Sequence, residues 1–573
     1  MSTARPGDLT AAAERAADEA AEVIRGARDV KGGSSRRAGS TSPADAGEAT
    51  AGDAGTFTVH SPATGKVVGT WPVMGADAVA AAVARARAAQ PAWHELGFRG
   101  RAHVLGRFRR RLVDHQDLMV DALVAETGKT HEDALSDLLL VIGWLQFWAG
   151  KAEDYLADEG IRSGSPFALG RRNVVTWRPR GVVGVIGPWN VPLALTLGDA
   201  IPALMAGNTA VLKPSEVTPA SAVLAQKLFL ESGGPEDVLG VVTGPGKVSG
   251  TALVDHVDYV MFTGSVRTGQ RIAKRCIDRM VGYSLELGGK DPMIVLADAN
   301  LDRAANAAVQ YGFFNTGQIC MSAERVYVER SVHDEFVDKV VARVKQLRQG
   351  APAGPGSVDV TVMIHPPQRD IVDAHVRDAV RKGAVIAVGG DATTGPGHYY
   401  SPTVLTNVTH QMKCMTDETF GPTLPIMAFD SVEQAIDLAN DSPYGLTASV
   451  FTSDVDRGER VARRLDVGTV TVNDMMVHLG APELPMGGHK ASGTGVRNGA
   501  EGIRKFCTQT VIQVPRFAPS NEPQWMPYSR NATKVLSGLV KALYGRPDLP
   551  NPLEARPLTA ARDLLGRILP TRK

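Results

Sequence analysis

Short runs of β-branched residues alternate with helical stretches from residue 182 onward, and this alternation limits the possible folds most strongly. The first series predicts strands at 182–187, 209–212, 238–243 and 257–263, with helices at 220–232 and 268–278. The second predicts strands at 293–296 and 325–328, with helices at 301–315 and 334–346. Strand, helix and strand at this spacing form βαβ units, so the fold class is α/β with two doubly wound parallel-sheet domains.

The region before residue 182 has a different character. Amphipathic patterns predict helices at 78–88 and 102–127, and a more apolar pattern predicts one at 133–148. Residues 1–55 are rich in Ala, Gly, Ser, Asp and Glu and contain no aromatic residue before Phe57. Such a composition buries little apolar surface, so we expect a mostly disordered N-terminal arm.

Composition excludes several classes of protein. The 573 residues hold 62 Lys and Arg against 61 Asp and Glu, which argues against a dedicated nucleic-acid binder. The four cysteines show no CxxC spacing, which argues against a disulfide scaffold or a zinc site, and we expect no metal. Without an 18-residue apolar run or a signal peptide, the chain is expected to be cytoplasmic.

Two motifs contain candidate reactive groups. Cys320 ends the segment Phe314-Asn-Thr-Gly-Gln-Ile-Cys320, whose polar, glycine-broken character strengthens the case for a nucleophile, and the alternative is a buried small hydrophobe. Glu286 lies between two leucines in Leu285-Glu-Leu-Gly-Gly-Lys290. Burial there would raise its pKa and suit it for proton transfer, and the alternative is an exposed carboxylate at a strand edge.

Four further motifs follow predicted strands or form turns. Phe262-Thr-Gly-Ser-Val-Arg-Thr-Gly269 opens a helix where a phosphate can bind, although its spacing differs from GxGxxG and an ordinary turn is the alternative. Lys213 and Glu216 are placed to hold a ribose or to form a surface ion pair. Asn190 offers an amide donor for an oxyanion, and Glu418-Thr-Phe-Gly-Pro422 leads into a turn; both also fit plain turn chemistry.

The six motifs together resemble the aldehyde dehydrogenase superfamily in order and spacing, from about residue 56 to about residue 516. The turns Asp441-Ser-Pro-Tyr-Gly-Leu446 and Leu484-Pro-Met-Gly-Gly488 belong to the same likeness. The resemblance implies two Rossmann-like domains and a small bridging sheet that builds homodimers or homotetramers. Its boundaries would give an NAD-binding domain at 56–160 and 181–285, a catalytic domain at 286–490, and oligomerisation strands at 161–180 and 503–516.

The resemblance also implies residue roles. Cys320 would be the nucleophile and Glu286 the base, with Asn190 and the Cys320 backbone N–H forming the oxyanion hole. The implied cofactor-binding residues are Trp189, Lys213, Glu216, Gly246, Gly264, Ser265, Gly269, Leu287, Glu418 and Phe420. The Glu216 charge would repel a 2′-phosphate and so favours NAD, while Lys213 beside it would tolerate NADP.

The substrate is less constrained. Apolar neighbourhoods at Met205, Trp189, Met321 and Met476 favour a hydrophobic aldehyde. The likeness extends to bacterial succinate-semialdehyde dehydrogenases, whose substrate carboxylate needs a cation such as Arg. Arg325 lies close to Cys320 in the sequence, and the alternative is that its side chain faces away. Two other classes remain: a hydrolase using Cys320 with a histidine base, and a non-enzymatic scaffold.

Residues 517–573 lie beyond this likeness and carry nine Lys and Arg against four Asp and Glu, a net charge of +5. Apolar residues recur at helical spacing in two stretches: Val535, Leu536, Leu539, Val540 and Leu543, then Leu564, Leu565, Ile568 and Leu569. Basic amphipathic helices bind anionic membrane surfaces, and the alternative is packing on the enzyme itself or on a neighbouring subunit.

Overall fold

A computed structural model describes residues 55–163, 165, 168, 170–393, 397–518, 520, 522 and 525–544. The predictions for residues 1–54 and for the second apolar stretch of the tail lie outside these residues. The described chain forms two compact units. One contains residues 55–153 and Pro179–Phe506, and the other contains the described residues of Asp154–Arg178 and those from Cys507 to Tyr544.

A six-stranded sheet forms the first layer of the larger unit. Its strands lie in the order Gly493–Thr494, Gly282–Glu286, Tyr259–Thr263, Val182–Ile186, Thr209–Lys213 and Leu239–Val241. All neighbours are parallel except Gly493–Thr494, which runs antiparallel to Gly282–Glu286. Helices that pack with this sheet are Ala76–Glu95, Ala194–Met205, Ala220–Glu231, Thr251–His256 and Val266–Asp278. The predicted parallel α/β architecture is confirmed.

A seven-stranded sheet forms the second layer of the same unit. Its order is Val385–Val388, Thr403–Thr406, Thr423–Phe429, Arg325–Glu329, Pro292–Val295, Thr447–Phe451 and Thr469–Val472. Only Val385–Val388 is antiparallel to its neighbour. The accompanying helices are Leu301–Phe313, His333–Val344, Pro366–Arg381, Val432–Asn440 and Val455–Ala462. Buried aliphatic residues fill both faces, as expected for a parallel sheet.

The single helix predicted at 102–127 is wrong. Two helices, Gly97–Asp114 and Gln116–Thr127, occupy this stretch, and His115 separates them with φ −114° and ψ 25°. The His115 backbone N–H still donates to the Arg111 carbonyl, so the first helix closes before the chain turns. Neither Gly nor Pro occurs at the break, so the hydrophobic periodicity predicts one continuous helix across His115. A third long helix, His131–Tyr155, follows.

The smaller unit contains a three-stranded sheet in the order Cys507–Pro515, Arg171–Pro179 and Glu159–Ile161. Residues 503–504, expected in a strand, instead end the helix Gly499–Arg504. The predicted tail helix is present at Arg530–Tyr544, with Val535 and Val540 more than half exposed. No helix within the described ranges has both the length and the apolar character needed to span a membrane.

Candidate active site

The loop that carries Cys320 is shaped by three consecutive left-handed residues. The helix Leu301–Phe313 ends in a short 3-10 turn, in which Asn315, Thr316 and Gly317 have φ values of 51°, 59° and 71°. A Cβ on Gly317 would lie 2.2 Å from the Gly421 carbonyl oxygen, so this position requires glycine. The chain therefore reverses sharply and delivers Cys320 between helix and strand, as the sequence predicted.

The Cys320 side chain is partly buried beside an apolar cluster formed by Ile319, Met321, Leu446, Met476 and Met486. Burial raises the pKa of its thiol to about 12, and the Asp291 and Glu418 carboxylates add to the shift. The thiol is therefore protonated at neutral pH in this structure, because both effects oppose a thiolate.

Asn190 is held beside the Cys320 loop by three hydrogen bonds. Its amide Nδ2 donates to the Gln318 carbonyl over 2.9 Å, two residues before Cys320. Its own backbone carbonyl accepts from Lys129 Nζ at 2.9 Å and from Asn315 Nδ2 at 3.0 Å. Buried donors with fixed partners keep their orientation, so the Asn190 amide is preorganised at this loop.

Glu286 is the last residue of the strand Gly282–Glu286 and is 3% exposed. The alternative of an exposed strand-edge carboxylate is therefore wrong. Its Oε1 has no hydrogen-bond partner among the described residues. Burial raises the pKa of Glu286 to about 7, against the opposing charges of Arg497 and Lys505. A buried carboxyl with this pKa can accept a proton near neutral pH.

Lys213 and Glu216 meet at the carboxyl end of the strand Thr209–Lys213. Lys213 Nζ lies 2.9 Å from Glu216 Oε2, and the Gly246 N–H donates to Glu216 Oε1 over 3.4 Å. Burial is the largest single effect and would raise the pKa of Glu216, but the Lys213 charge and the hydrogen bonds from Lys213 and backbone N–H groups together outweigh it, and the pKa is lowered. Apart from its neighbours along the chain, no described atom lies within 4 Å of where a Cβ on Gly246 would point, so open space adjoins the Gly246 N–H that contacts Glu216.

The turn before the helix Val266–Asp278 brings the phosphate-binding candidates together. The Ser265 hydroxyl bonds to Thr268 Oγ1 at 3.1 Å, and among the described residues no side chain caps the first-turn N–H groups. The Gly264 N–H donates to the Glu286 carbonyl at 3.0 Å, and a Cβ on Gly269 would lie 2.7 Å from Leu287 Cδ2. Free N–H groups at this helix end fit a pyrophosphate, so the residues present fit a dinucleotide.

Trp189, Phe420 and Glu418 occupy one region. The Trp189 and Phe420 rings meet edge to face with centroids 5.5 Å apart. The Gly289 N–H donates to Glu418 Oε1 at 3.0 Å, and burial together with the Glu324 charge raises the pKa of Glu418 to about 8. The structure thus gathers the residues expected for the nicotinamide half.

The residues expected to surround the substrate fall into two groups. Met321 and Met476 lie in the apolar cluster with Cys320, whereas Met205 and Trp189 do not join it. Of the two alternatives for Arg325, the structure supports the one in which its side chain does not face a substrate carboxylate. Its guanidinium is buried and donates to the carbonyls of Lys290 and Ala439 at 2.9 Å each. Arg325 therefore links the strand Arg325–Glu329 to the helix Val432–Asn440, and its guanidinium is occupied by hydrogen bonds to backbone carbonyls.

Sequence reasoning missed Asp199, Arg497 and Lys505, three charged residues near Glu286, of which the first two are buried and the third is half-buried. An aspartate inside the apolar helix Ala194–Met205 was the one indication of a buried partner. It also missed Lys129, which holds the Asn190 carbonyl.

Comparison with known proteins gives the family. The profile of the aldehyde dehydrogenase family matches residues 49–512. A Mycolicibacterium smegmatis protein, provisionally named succinate-semialdehyde dehydrogenase [NADP(+)], is 43% identical over 80% of this chain and 89% of its own length. A 4,4'-diapolycopene aldehyde oxidase of a Methylomonas species is 37% identical over 86% of this chain and 92% of its own length.

Solved structures agree with the sequence relatives. Betaine aldehyde dehydrogenase of Staphylococcus aureus in complex with NAD+ superposes with a TM-score of 0.77 and 30% identity. The match covers 82% of this chain and 93% of that protein. The chain therefore belongs to the aldehyde dehydrogenase family and is an NAD(P)-dependent oxidoreductase that acts on aldehydes.

Proposed function

We propose that the chain oxidises an aldehyde to its carboxylate through a covalent adduct on Cys320 that water then hydrolyses. The hydrogen bond from Asn190 Nδ2 to the Gln318 carbonyl carries this proposal, because it holds an amide donor beside the nucleophile loop. The buried Glu286, with a pKa of about 7, supports hydrolysis over acyl transfer to an external thiol.

The side chains divide the reaction between them. Cys320 Sγ gives its proton to solvent water and bonds to the aldehyde carbon, and Asn190 Nδ2 with the Cys320 backbone N–H stabilises the resulting oxyanion. NAD(P)+, when bound, supplies the two-electron acceptor for the hydride leaving that carbon. The acyl group left on Cys320 is a thioester. Glu286 takes a proton from water, the hydroxide adds, and the carboxylate leaves with the C–S bond broken.

The residues that surround the proposed cofactor site lie mainly in the segments 56–160 and 181–285, the proposed NAD-binding domain, with 286–490 as the catalytic domain. Lys213 and Glu216 would hold the adenosine ribose, and Ser265 with its helix end the pyrophosphate. Trp189, Glu418 and Phe420 would hold the nicotinamide half. Turn and packing positions at Gly246, Gly264, Gly269 and Leu287 complete the site. The lowered pKa of Glu216 keeps it anionic, which favours NAD over a 2′-phosphorylated cofactor.

For the substrate, we propose an apolar aliphatic or aromatic aldehyde. The methionine-rich cluster beside Cys320 supports this choice, as does the name of the Methylomonas relative. Succinate semialdehyde is the second candidate, supported by the name of the Mycolicibacterium relative. The commitment of Arg325 to backbone carbonyls weighs against it.

An aldehyde panel tests both proposals. Purified protein with NAD+ or NADP+ should reduce the cofactor, with kcat/KM rising along a series from acetaldehyde to decanal and exceeding that for succinate semialdehyde. Cys320→Ser should abolish reduction, while Cys414→Ser, at a buried cysteine of the Lys413–Thr416 helix, should keep it. Ester hydrolysis without cofactor reduction would instead favour a hydrolase, and inactivity throughout would favour a non-enzymatic scaffold.

We also propose peripheral contact between the tail helix Arg530–Tyr544 and an anionic membrane. At helical spacing, Arg530, Lys534 and Lys541 share one face, opposite Leu536 and Leu539. The full chain should sediment with phosphatidylglycerol vesicles and remain free with phosphatidylcholine vesicles. A Lys534→Glu/Lys541→Glu variant and a 1–516 truncation should both lose this binding. Equal sedimentation of all three proteins would contradict the proposal.

A further inference from the structure

A buried ion pair lies behind the proposed catalytic residues. Arg497 Nε and Nη2 contact Asp199 Oδ1 and Oδ2 at 2.9 and 2.7 Å, and both side chains are nearly inaccessible to solvent. Asp199 comes from the helix Ala194–Met205, and Arg497 lies in the loop before the helix Gly499–Arg504. The geometry is the two-pronged one in which a guanidinium is held rigidly.

Backbone register places this pair beside Glu286. Arg497 Nη2 also donates to Thr263 Oγ1 at 2.9 Å, and Thr263 is the register partner of Glu286 on the adjacent strand. On the other side of Glu286, Gly493 is its partner, four residues before Arg497. Both strands that flank Glu286 are therefore connected to Arg497, one by the Thr263 hydrogen bond and the other by the short segment from Gly493 to Arg497.

The same residue is tied to the surroundings of Cys320. The Arg497 backbone exchanges two hydrogen bonds with Met486, at 2.6 and 2.7 Å. Met486 belongs to the apolar cluster against which Cys320 packs. Arg497 is thus connected both to the cluster against which Cys320 packs and, through Thr263, to the strand beside Glu286.

Stability alone gives little reason for such a pair. Two buried charges lose much hydration, and well-packed apolar residues of similar volume are often as stable or more so. The guanidinium, however, favours the ionised form of Glu286, while Asp199 opposes it. The two members of the pair therefore shift the pKa of Glu286 in opposite directions: Arg497 lowers it and Asp199 raises it.

We propose that Asp199 and Arg497 form a positioning pair for the hydrolysis step, in which the guanidinium keeps the Glu286 carboxylate ionised and Asp199 limits that effect. This rests on the proposed function, in which Glu286 activates water. The pair itself contacts no reacting atom; it acts through Glu286.

Other ionisable groups also face Glu286. Lys505 follows Arg497 on the same segment; burial lowers its pKa to about 8, so it is cationic below that pH. Cys320 faces Glu286 and Arg497 from the loop after the helix Leu301–Phe313. The pKa of Lys505 responds to the same pair, because Asp199 raises it and Arg497 lowers it, so Lys505 partly offsets the expected shift in each single variant.

The test measures hydrolysis of the acyl-enzyme directly. p-Nitrophenyl acetate acylates Cys320 without cofactor, and the decay of the acyl group is followed between pH 5 and 9. Arg497→Gln should move the midpoint upward by about one pH unit, which lowers the rate at pH 7 about fivefold. Asp199→Asn should move the midpoint downward, because Arg497 is then uncompensated.

Three further proteins separate positioning from structural damage. Arg497→Lys should retain most of the wild-type midpoint, and Asp199→Asn/Arg497→Gln should lie between the two single variants. Arg348→Gln breaks a bidentate pair with Asp359 elsewhere in the fold and should leave the profile unchanged.

The proposal would be overturned if Arg497→Gln and Asp199→Asn moved the pH midpoint of hydrolysis in the same direction, or not at all, while both proteins unfolded at the same denaturant concentration as the wild type. If Arg497→Gln does not fold, the downward shift of Asp199→Asn and the Arg497→Lys profile decide alone. Failure of the wild type to form any acyl-enzyme would contradict the proposed function instead.

Discussion

At the scale of single residues, burial sets the chemistry of the two proposed reactive groups. It raises the pKa of the Cys320 thiol to about 12 and that of the Glu286 carboxyl to about 7. A thiol with this pKa supplies only a small fraction of thiolate at neutral pH, whereas Glu286 is half ionised there. Glu286 therefore reaches its ionised form near neutral pH, whereas the Cys320 thiolate forms only at much higher pH in this environment.

The pH dependence of acyl-enzyme hydrolysis follows from Glu286. Only the carboxylate accepts a proton from water, so the rate should rise through a midpoint near pH 7 and level off above it. The measurement is decay of the acetyl-enzyme between pH 5 and 9. Glu286→Gln should leave a burst of NADH with slow turnover, at least about 100-fold below wild type. A flat profile in the wild type would contradict the assignment of the base.

At the scale of elements, tight backbone turns position the reactive groups. Gly317 shows this most clearly, because its φ of 71° and the nearby Gly421 carbonyl both exclude a side chain. Gly317→Ala should lower the free energy of unfolding by more than about 1 kcal/mol and strongly reduce kcat. Chemical denaturation and NADH formation measure the two effects.

Gly143 provides the matched control. It lies within the helix His131–Tyr155 and is exposed, and a Cβ at this position would meet no described atom of another element within 4 Å. Gly143→Ala should therefore stabilise the protein by about 0.5–1 kcal/mol, since alanine has the higher helix propensity. Equal losses of stability in both variants would refute the argument about the Gly317 turn.

The segment around Phe420 depends on a buried ion pair. Glu324 lies 2.6 Å from Lys290 Nζ and accepts the N–H groups of Thr419 and Phe420 at 3.2 and 2.8 Å. Lys290→Met leaves Glu324 buried without its cation, so we expect a loss of about 3–5 kcal/mol in unfolding free energy and a raised KM for NAD(P)+.

The matched control removes an exposed pair. Arg330→Gln breaks the contact of Arg330 with Asp430, where both side chains are more than 60% exposed. This substitution should leave both the denaturation midpoint and the KM for NAD(P)+ unchanged, because solvent screens such pairs. A Lys290→Met protein that behaves like Arg330→Gln would show that the pair does not position the Phe420 segment.

At the scale of the whole molecule, the three-stranded sheet offers a surface for self-association. Its outer strand Cys507–Pro515 exposes Val511, Ile512 and Val514. An apolar, exposed edge strand is suited to pairing with another chain, so we expect a homodimer or homotetramer built through it. Light scattering coupled to size-exclusion chromatography should give a mass of two or four subunits.

Val511→Lys/Val514→Lys should lower that mass by placing charges on the strand. Ile277→Lys, at an equally exposed apolar residue of the helix Val266–Asp278, is the control and should leave the mass unchanged. Oligomers that persist in the strand variant would place the association elsewhere.

Much of the fold was predictable because its pattern is local. Each strand and helix of the parallel sheets is encoded by neighbouring residues, and most predicted elements match within a few residues. The helix break at His115 was not predictable, because the residues on both sides keep a helical pattern. The direction of the Arg325 side chain was not predictable either, because nearness to Cys320 in sequence does not fix the direction of a side chain on a strand.

By itself, the sequence determined the α/β class and the order of the motifs, since these follow from local spacing, and the resemblance that the motifs carry made Cys320, Glu286 and Asn190 the candidate reactive residues. Only the tertiary structure decided which charges surround Glu286. Asp199 and Arg497 are 298 positions apart in the chain, and nothing in either segment specifies the other. Their contact arises because a helix and a distant loop pack beside the same strand end, where a buried guanidinium needs a carboxylate.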